Sequence, residues 1–215
     1  MKKVSLILSA AVMTAMMLSS CGGSSYKEVK IGNQVWMAEN LNVDKFRNGD
    51  PIPHAKTAEE WQQAVENKQP AWCYYDNDPA NGKIYGKLYN WYAVSDWRGL
   101  APEGWRIPSD ADWSKLVELL GGREVAGGKL KSTDTTYWKS PNTAATNETG
   151  FTALPGGGRY DDGNFYYVGY YGYWWSASEG SATSAWHRSM HYYYSNVFGY
   201  YSGKELGFSV RCVRD

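Results

Sequence analysis

Apolar and polar positions change their spacing several times along the chain. From Val4 to Leu18 the residues are apolar apart from Ser5, Ser9 and Thr14, after a short basic start at Lys2 and Lys3. That length suits the hydrophobic region of a signal peptide and is short for a membrane span, which needs about 20 residues. Next, Glu28 to Ile31 and Gln34 to Met37 flank Gly32-Asn33, which predicts a small hairpin. Thr57, with Glu60 three residues later, forms a capping-box pattern and predicts a helix running to about Asn67. A second helix is predicted after Pro108, with Ser109 as its cap. Its Trp113, Leu116, Val117 and Leu120 fall at i, i+3, i+4 and i+7 on one apolar face, and Gly121-Gly122 ends it.

Beyond about residue 150 the helical spacing stops. Gly156-Gly157-Gly158, Asp161-Asp162-Gly163 and Gly172 punctuate short aromatic runs. Near the end Phe208, Val210 and Cys212 lie two apart with Ser209 and Arg211 between them, the alternation of a half-buried closing strand. No linker or low-complexity stretch divides residues 28–215. A hairpin, two helices and then an antiparallel sheet with long irregular loops predict one α+β domain.

The end of the first apolar run bears on where the protein works. Leu18-Ser19-Ser20-Cys21, followed by Gly22-Gly23-Ser24-Ser25, resembles the bacterial lipobox. The resemblance implies that residues 1–20 are a lipoprotein signal peptide, that Cys21 carries lipid, and that residues 21–27 form a short lipidated linker. The expected location is the bacterial cell envelope, as an outer-membrane lipoprotein held to its membrane through that lipid. The alternative is ordinary signal-peptide cleavage beside an incidental cysteine.

Charge and cysteine usage narrow the partners. The chain has 22 basic and 22 acidic residues and no basic run. Nucleic acid is therefore not an expected partner, because its binding rests on clustered Lys and Arg. With Cys21 assigned to lipid, Cys73 and Cys212 remain as an even pair in an oxidising compartment. A disulfide between them is the expectation, closing a loop of about 140 residues. The alternative is two separate buried thiols, since free Cys packs as a small hydrophobe.

Several stretches resemble one family. They are Val29 to Asn42 (VKIGNQVWMAENLN), Gly82 to Trp91 (GKIYGKLYNW), Leu100 to Trp113 (LAPEGWRIPSDADW), GYWWSAS at 172–178 and GFSVRCVRD at 207–215. Together they look like the Fibrobacter succinogenes major paralogous domain family over about residues 28–215. That family is similar in turn to the C-type-lectin-like fold of the formylglycine-generating enzymes, through Gly104-Trp105-Arg106-Ile107-Pro108 and Gly207 to Arg211. The resemblance implies that the first and last strands pair, and that irregular loops on one side carry the binding surface. The same fold is the scaffold of variable proteins diversified by retroelements, whose ligand site lies just before the closing strand. Here that stretch would run from Tyr173-Trp174-Trp175 to Glu205. An Asn codon mutated at its adenines reaches Tyr, Ser, Gly, Phe, His and Asp, nearly the residues present.

Catalysis is not expected. Formylglycine-generating enzymes use two reactive cysteines close together, whereas Cys212 falls in the closing strand and Cys73 far upstream. No Cys-His or Ser-His-Asp order is recognisable. His187 and His191 would share a face of a strand, but no third ligand accompanies them. Asp76-Asn77-Asp78 with Gly82 lacks the spaced ligands and closing Glu of a calcium loop and reads as a solvated turn. The Glu-Pro-Asn and Trp-Asn-Asp signatures of calcium-dependent sugar binding are missing. No metal or cofactor is expected.

Binding is the better-supported chemistry. Of eighteen tyrosines, eleven lie between Tyr160 and Tyr201, and residues 191–203 read HYYYSNVFGYYSG. Tyrosine supplies stiff contact area with a polar tip, and Ser, Gly and Asn supply adaptable contacts, as in antibody paratopes. The expected ligand-binding residues are Trp186, His191, Tyr192, Tyr193, Tyr194, Tyr200 and Tyr201, with a protein or glycan as partner. Trp174 and Trp175 are expected as framework, and Phe208, Val210 and Cys212 as core. One alternative packs alternate tyrosines inside. Another makes the protein a structural or adhesin-type envelope subunit.

Overall fold

The computed structural model describes residues 26–215, so the signal-peptide and Cys21 expectations lie outside the described residues. The chain opens with β1 (Glu28–Ile31) and β2 (Gln34–Met37), which pair antiparallel with Ile31 opposite Gln34. That register leaves a two-residue turn at Gly32-Asn33, and Gly32 takes the positive φ of +60° that such a turn requires.

α1 (Ala58–Glu66) carries the predicted capping box in full: Thr57 Oγ1 accepts from the Glu60 N–H, and the Glu60 carboxylate accepts from the Thr57 N–H. β3 (Trp72–Cys73) follows, then α2 (Pro79–Tyr85), β4 (Leu88–Tyr89), α3 (Trp91–Val94) and β5 (Trp105–Arg106). α4 (Asp110–Leu119) is the second predicted helix, capped by Ser109 and closed into a capping box by Asp112. Its Trp113 and Leu116 are fully buried.

Where two helices were predicted, five form among the described residues. α2 is capped by the Asp78 carboxylate with Pro79 in its first turn, so the expected solvated turn at Asp76 to Asp78 leads directly into a helix. α3 is capped by the Asn90 side chain. α5 (Arg123–Leu130) contains Gly127-Gly128, which ordinarily argue against a helix. Both glycines are there for clearance. A Cβ on Gly127 would lie 2.3 Å from the Asn196 carbonyl oxygen, and one on Gly128 would lie 2.5 Å from that of Ala144.

The remaining strands are β6 (Gly156–Arg159), β7 (Phe165–Val168), β8 (Tyr171–Glu179), β9 (Ser184–His191), β10 (Phe198–Gly203) and β11 (Val213–Arg214). Two larger sheets result, in the orders β1-β2-β11-β5 and β10-β9-β8-β6-β7, with β3-β4 as a small pair. The first hairpin and the last strand thus pair, with Val213 opposite Trp36. The domain is α+β.

The five-stranded sheet is the wall between two apolar cores. Trp174 and Trp175 are neighbours on β8 and point to opposite faces. Trp175 joins Tyr173, Ala185 and Phe208 in one core, and Trp174 joins Trp36, Trp113, Met190 and Val197 in the other. Both tryptophans are fully buried, as framework residues should be.

Two expectations need correction. The closing segment is not half-buried: Phe208, Val210 and Cys212 are inside, but Ser209 and Arg211 are inside too. Regular strand is confined to β11, because the backbone of 207–212 bonds in turn to Arg159, Tyr89, Trp175, Leu41 and Met37 and not to one neighbouring strand. The Arg211 side chain bonds to the backbone oxygens of Met37 and Phe151 and to Asn40 Oδ1 instead of facing water. The second correction concerns the cysteines. Cys73 and Cys212 are free and fully buried, in different apolar clusters: Cys73 with Trp61, Tyr75 and Leu88, Cys212 with Trp105 and Val210. Each packs as a small hydrophobe, and burial pushes both thiols up to about 12.

Candidate functional site

The tyrosine-rich stretch leaves β9 at His191, makes a turn through Tyr192 and Tyr193, and returns as β10. The backbone of this turn is fixed from beneath. Lys131, fully buried, donates from Nζ to the carbonyls of Thr143, His191 and Tyr194 at 3.0, 3.1 and 2.9 Å. The Thr143 N–H donates to the Tyr192 carbonyl, and the Gly128 N–H donates to that of Ser195. Ser195 Oγ donates to the Glu124 carbonyl, and Asn196 Nδ2 donates to the Glu124 carboxylate. The Val197 N–H completes the set on the Arg123 carbonyl. Because Gly127 and Gly128 carry no side chain, α5 sits close enough to make these bonds.

The rings above that backbone are about half exposed. Tyr193, Tyr194, Tyr200 and Tyr201 are 56%, 49%, 53% and 57% exposed. Exposed aromatic rings on a hydrogen-bonded backbone lose little freedom when they meet a ligand, which favours affinity.

Strand alternation then divides the set between two faces. On one face Tyr171, Ser189, His191, Tyr194, Asn196, Phe198 and Tyr200 line a groove of about 440 Å³. Tyr171 and His191 pair directly across β8 and β9, with ring centroids 4.2 Å apart. Phe198 and Tyr200 lie two apart on β10 with nearly parallel rings. Trp186 and Tyr201 pack together on the opposite face, 4.1 Å between centroids. Tyr193 stands at the tip of the turn, its N–H toward His191 Nδ1. Tyr192 turns back: it is half-buried, packs edge-on against Tyr170 and rests on the second core.

The groove carries no formal charge. Its residues are aromatic, Ser, Asn and His, and burial, with a smaller effect of Lys131, lowers the His191 pKa, which favours the neutral ring. Deeper in the sheet, His187 is nearly buried between Tyr173, Trp175 and Phe208. Burial, then the neighbouring Arg188 charge, push it down to about 4, and its Nδ1 has no hydrogen-bond partner. Among the described residues no three His, Cys, Asp or Glu side chains come together as a metal site.

Sequence reasoning missed Tyr171, Ser189, Asn196 and Phe198 as groove residues. Tyr171 belongs to an aromatic band that continues through Tyr167, Tyr166 and Tyr160, with centroid spacings of 5.5, 5.9 and 5.1 Å. The aromatic richness of residues 160–173 was a usable signal. The β8–β9 register that brings Tyr171 against His191 was not.

The chain belongs to the Fibrobacter succinogenes major domain family, whose model matches residues 29–214. No curated protein and no solved structure matches the chain.

Proposed function

We propose that this family member is an exported, lipid-anchored binding protein that presents the Tyr-rich surface around β10 to a protein or glycan ligand. The observation that carries the reading is the pairing of a pinned backbone with exposed rings. Lys131 and α5 hold residues 191–197 by hydrogen bonds, while Tyr193, Tyr194, Tyr200 and Tyr201 stand half exposed. Exposed aromatic patches of this kind mark interfaces, and tyrosine is enriched among the residues that carry binding energy.

Anchoring follows from the lipobox resemblance at Leu18 to Cys21, with the short Gly22 to Ser25 tail holding the domain near the bilayer of the cell envelope. Catalysis forms no part of the proposal: both domain thiols are held protonated by burial, and a buried thiol of this kind is not a nucleophile. The range of residues in 191–203 is that of a retroelement-diversified site, which would make the ligand variable between copies of the gene.

Two measurements test the reading. Intact mass of the protein extracted from membranes should show a chain starting at Cys21 with acyl groups added; a soluble product cleaved elsewhere contradicts the anchor. Immobilised protein should retain members of a random peptide panel or a glycan panel, and exchange of Tyr194 and Tyr200 for Ser should abolish retention. Retention unchanged by that double exchange contradicts the surface.

A further inference from the structure

β10 is the outermost strand of its sheet, and its register decides which backbone groups are free. The strand pairs with β9 from Phe198 opposite Ser189 to Gly203 opposite Ser184, without a register shift. The Lys204 N–H continues that register by donating to the Thr183 carbonyl. Antiparallel pairs alternate between residues bonded to the partner strand and residues turned away. Phe198, Tyr200 and Ser202 therefore bond to β9, and the N–H and C=O of Gly199 and Tyr201 face outward. Among the described residues, neither finds another backbone partner.

Sheet edges are ordinarily blunted by Lys, Pro, a bulge or a covering loop. Phe198-Gly199-Tyr200-Tyr201-Ser202-Gly203 has no charge, no proline and no bulge. The exposed rings straddle this bare edge. Tyr200, Phe198 and Tyr194 border the 440 Å³ groove on one face. On the other face stand Tyr201 and Trp186, near a second cavity of about 280 Å³ lined in part by Val197, Gly199, Arg188 and Arg123. A ligand lying on one face would meet half of these residues. An added strand would meet them all, because its successive side chains alternate between the faces.

We propose that the ligand of this surface is an extended polypeptide segment of a partner protein, which adds to β10 as a further strand. Its backbone bonds to Gly199 and Tyr201. The side chains that enter the groove between His191, Tyr194 and Tyr200 are uncharged, apolar or aromatic, because no charged residue lines that groove. The proposal rests on the reading of this surface as a binding site and names its ligand class.

The test separates backbone from ring. Peptides are selected from a phage-displayed library of random linear sequences on the full-length protein, and the best is synthesised with a fluorescent label. Its affinity is measured for the parent, Tyr201→Ala, Tyr201→Pro and the Tyr194→Ser/Tyr200→Ser double variant, after circular dichroism has shown each to be folded. Tyr201→Ala removes the ring alone, and Tyr201→Pro also removes the outward N–H without touching the bonds to β9. The expected result is that the proline variant binds about tenfold more weakly than the alanine variant, the effect of one lost hydrogen bond. The amides of Gly199 and Tyr201 should gain protection from hydrogen exchange in the complex. Should Tyr201→Pro misfold, that amide protection in the parent decides alone.

Equal affinities for the two variants, with no added protection, overturn strand addition. So does a library that yields no binder, a glycan panel that yields the only one, or self-association of the protein through β10. Where a glycan or a second copy binds instead, loss of that binding in the double tyrosine variant leaves the recognition surface standing. Binding of any probe unchanged by that double variant removes the surface reading itself.

Discussion

The buried ammonium of Lys131 donates to the carbonyls on both sides of the exposed turn, His191 at 3.1 Å and Tyr194 at 2.9 Å. Burial lowers its pKa to about 8, and carbonyl oxygens take all three of its donors, with Thr143 the third. The residue that shapes the exposed turn is thus itself buried. Lys131→Met should leave the Thr143 and Tyr194 carbonyls without a donor and that of His191 with only the Tyr194 N–H, at about 1–3 kcal/mol for an unsatisfied buried group. Urea denaturation should show that loss, and amide exchange should show residues 192–195 loosened. Unchanged stability and exchange would refute the role.

The same bond gives the turn a pH response. Below about 8 the Lys131 amine is charged and has three donors; above it the neutral amine has two. Exchange at the turn amides, corrected for its intrinsic pH dependence, should quicken as pH rises through 8 in the parent. It should not do so in Lys131→Met.

A second pH effect comes from His187. Its folded pKa, near 4, lies below the ordinary 6.5. Between those values the unfolded chain takes up a proton that the folded chain does not, so stability falls as pH falls from 6.5 to 4. The full shift corresponds to about 3 kcal/mol at 1.36 kcal/mol per unit. Comparing urea midpoints at pH 7, 5.5 and 4 for the parent and His187→Phe should show the dependence weakened in the variant. Below that range Asp112, held well under the usual carboxylate range chiefly by its hydrogen bonds to Arg106, adds a further loss as it protonates.

The thiols give a chemical prediction. In unreduced, denatured protein Cys73 and Cys212 should both take up an alkylating agent, and in native protein neither should, since both are fully buried. Peptide mapping that finds them linked would contradict this packing.

Local signals in the sequence carried most of the helices and turns that could be read. Thr57 with Glu60, Ser109 before an i, i+3, i+4, i+7 face, and Gly32-Asn33 each act within a few residues, and each formed as expected. α5 was invisible because Gly127 and Gly128 weaken a helix locally, and their reason is long-range clearance from Asn196 and Ala144. The closing segment misled for the same kind of reason. Arg211 reads as a solvent-facing residue until Met37, Asn40 and Phe151 arrive to take its donors. In the site, the exposure of Tyr193, Tyr194, Tyr200 and Tyr201 followed from composition. The inward turn of Tyr192, the groove wall at Tyr171 and the split of Tyr200 from Tyr201 depend on strand register, which one sequence does not display.

Core and surface aromatics should separate cleanly in a stability experiment. Phe208 is buried against Tyr173 and Trp175, each 4.7 Å away between centroids. Phe208→Ala should cost roughly 3–5 kcal/mol and unfold the domain. Exchange of Tyr193, Tyr200 and Tyr201 for Ser should cost little, since exposed substitutions stay within about 0.5 kcal/mol each. A triple variant melting far below the parent would place those rings in the core.

The most direct test of the central claim is the affinity of that same triple variant for the ligand the parent selects from the peptide and glycan panels. Hot-spot tyrosines cost about 2 kcal/mol or more apiece on truncation, so binding should weaken by several kcal/mol at an unchanged melting temperature. Equal affinity of the triple variant and the parent, both folded, would contradict a recognition surface at β10.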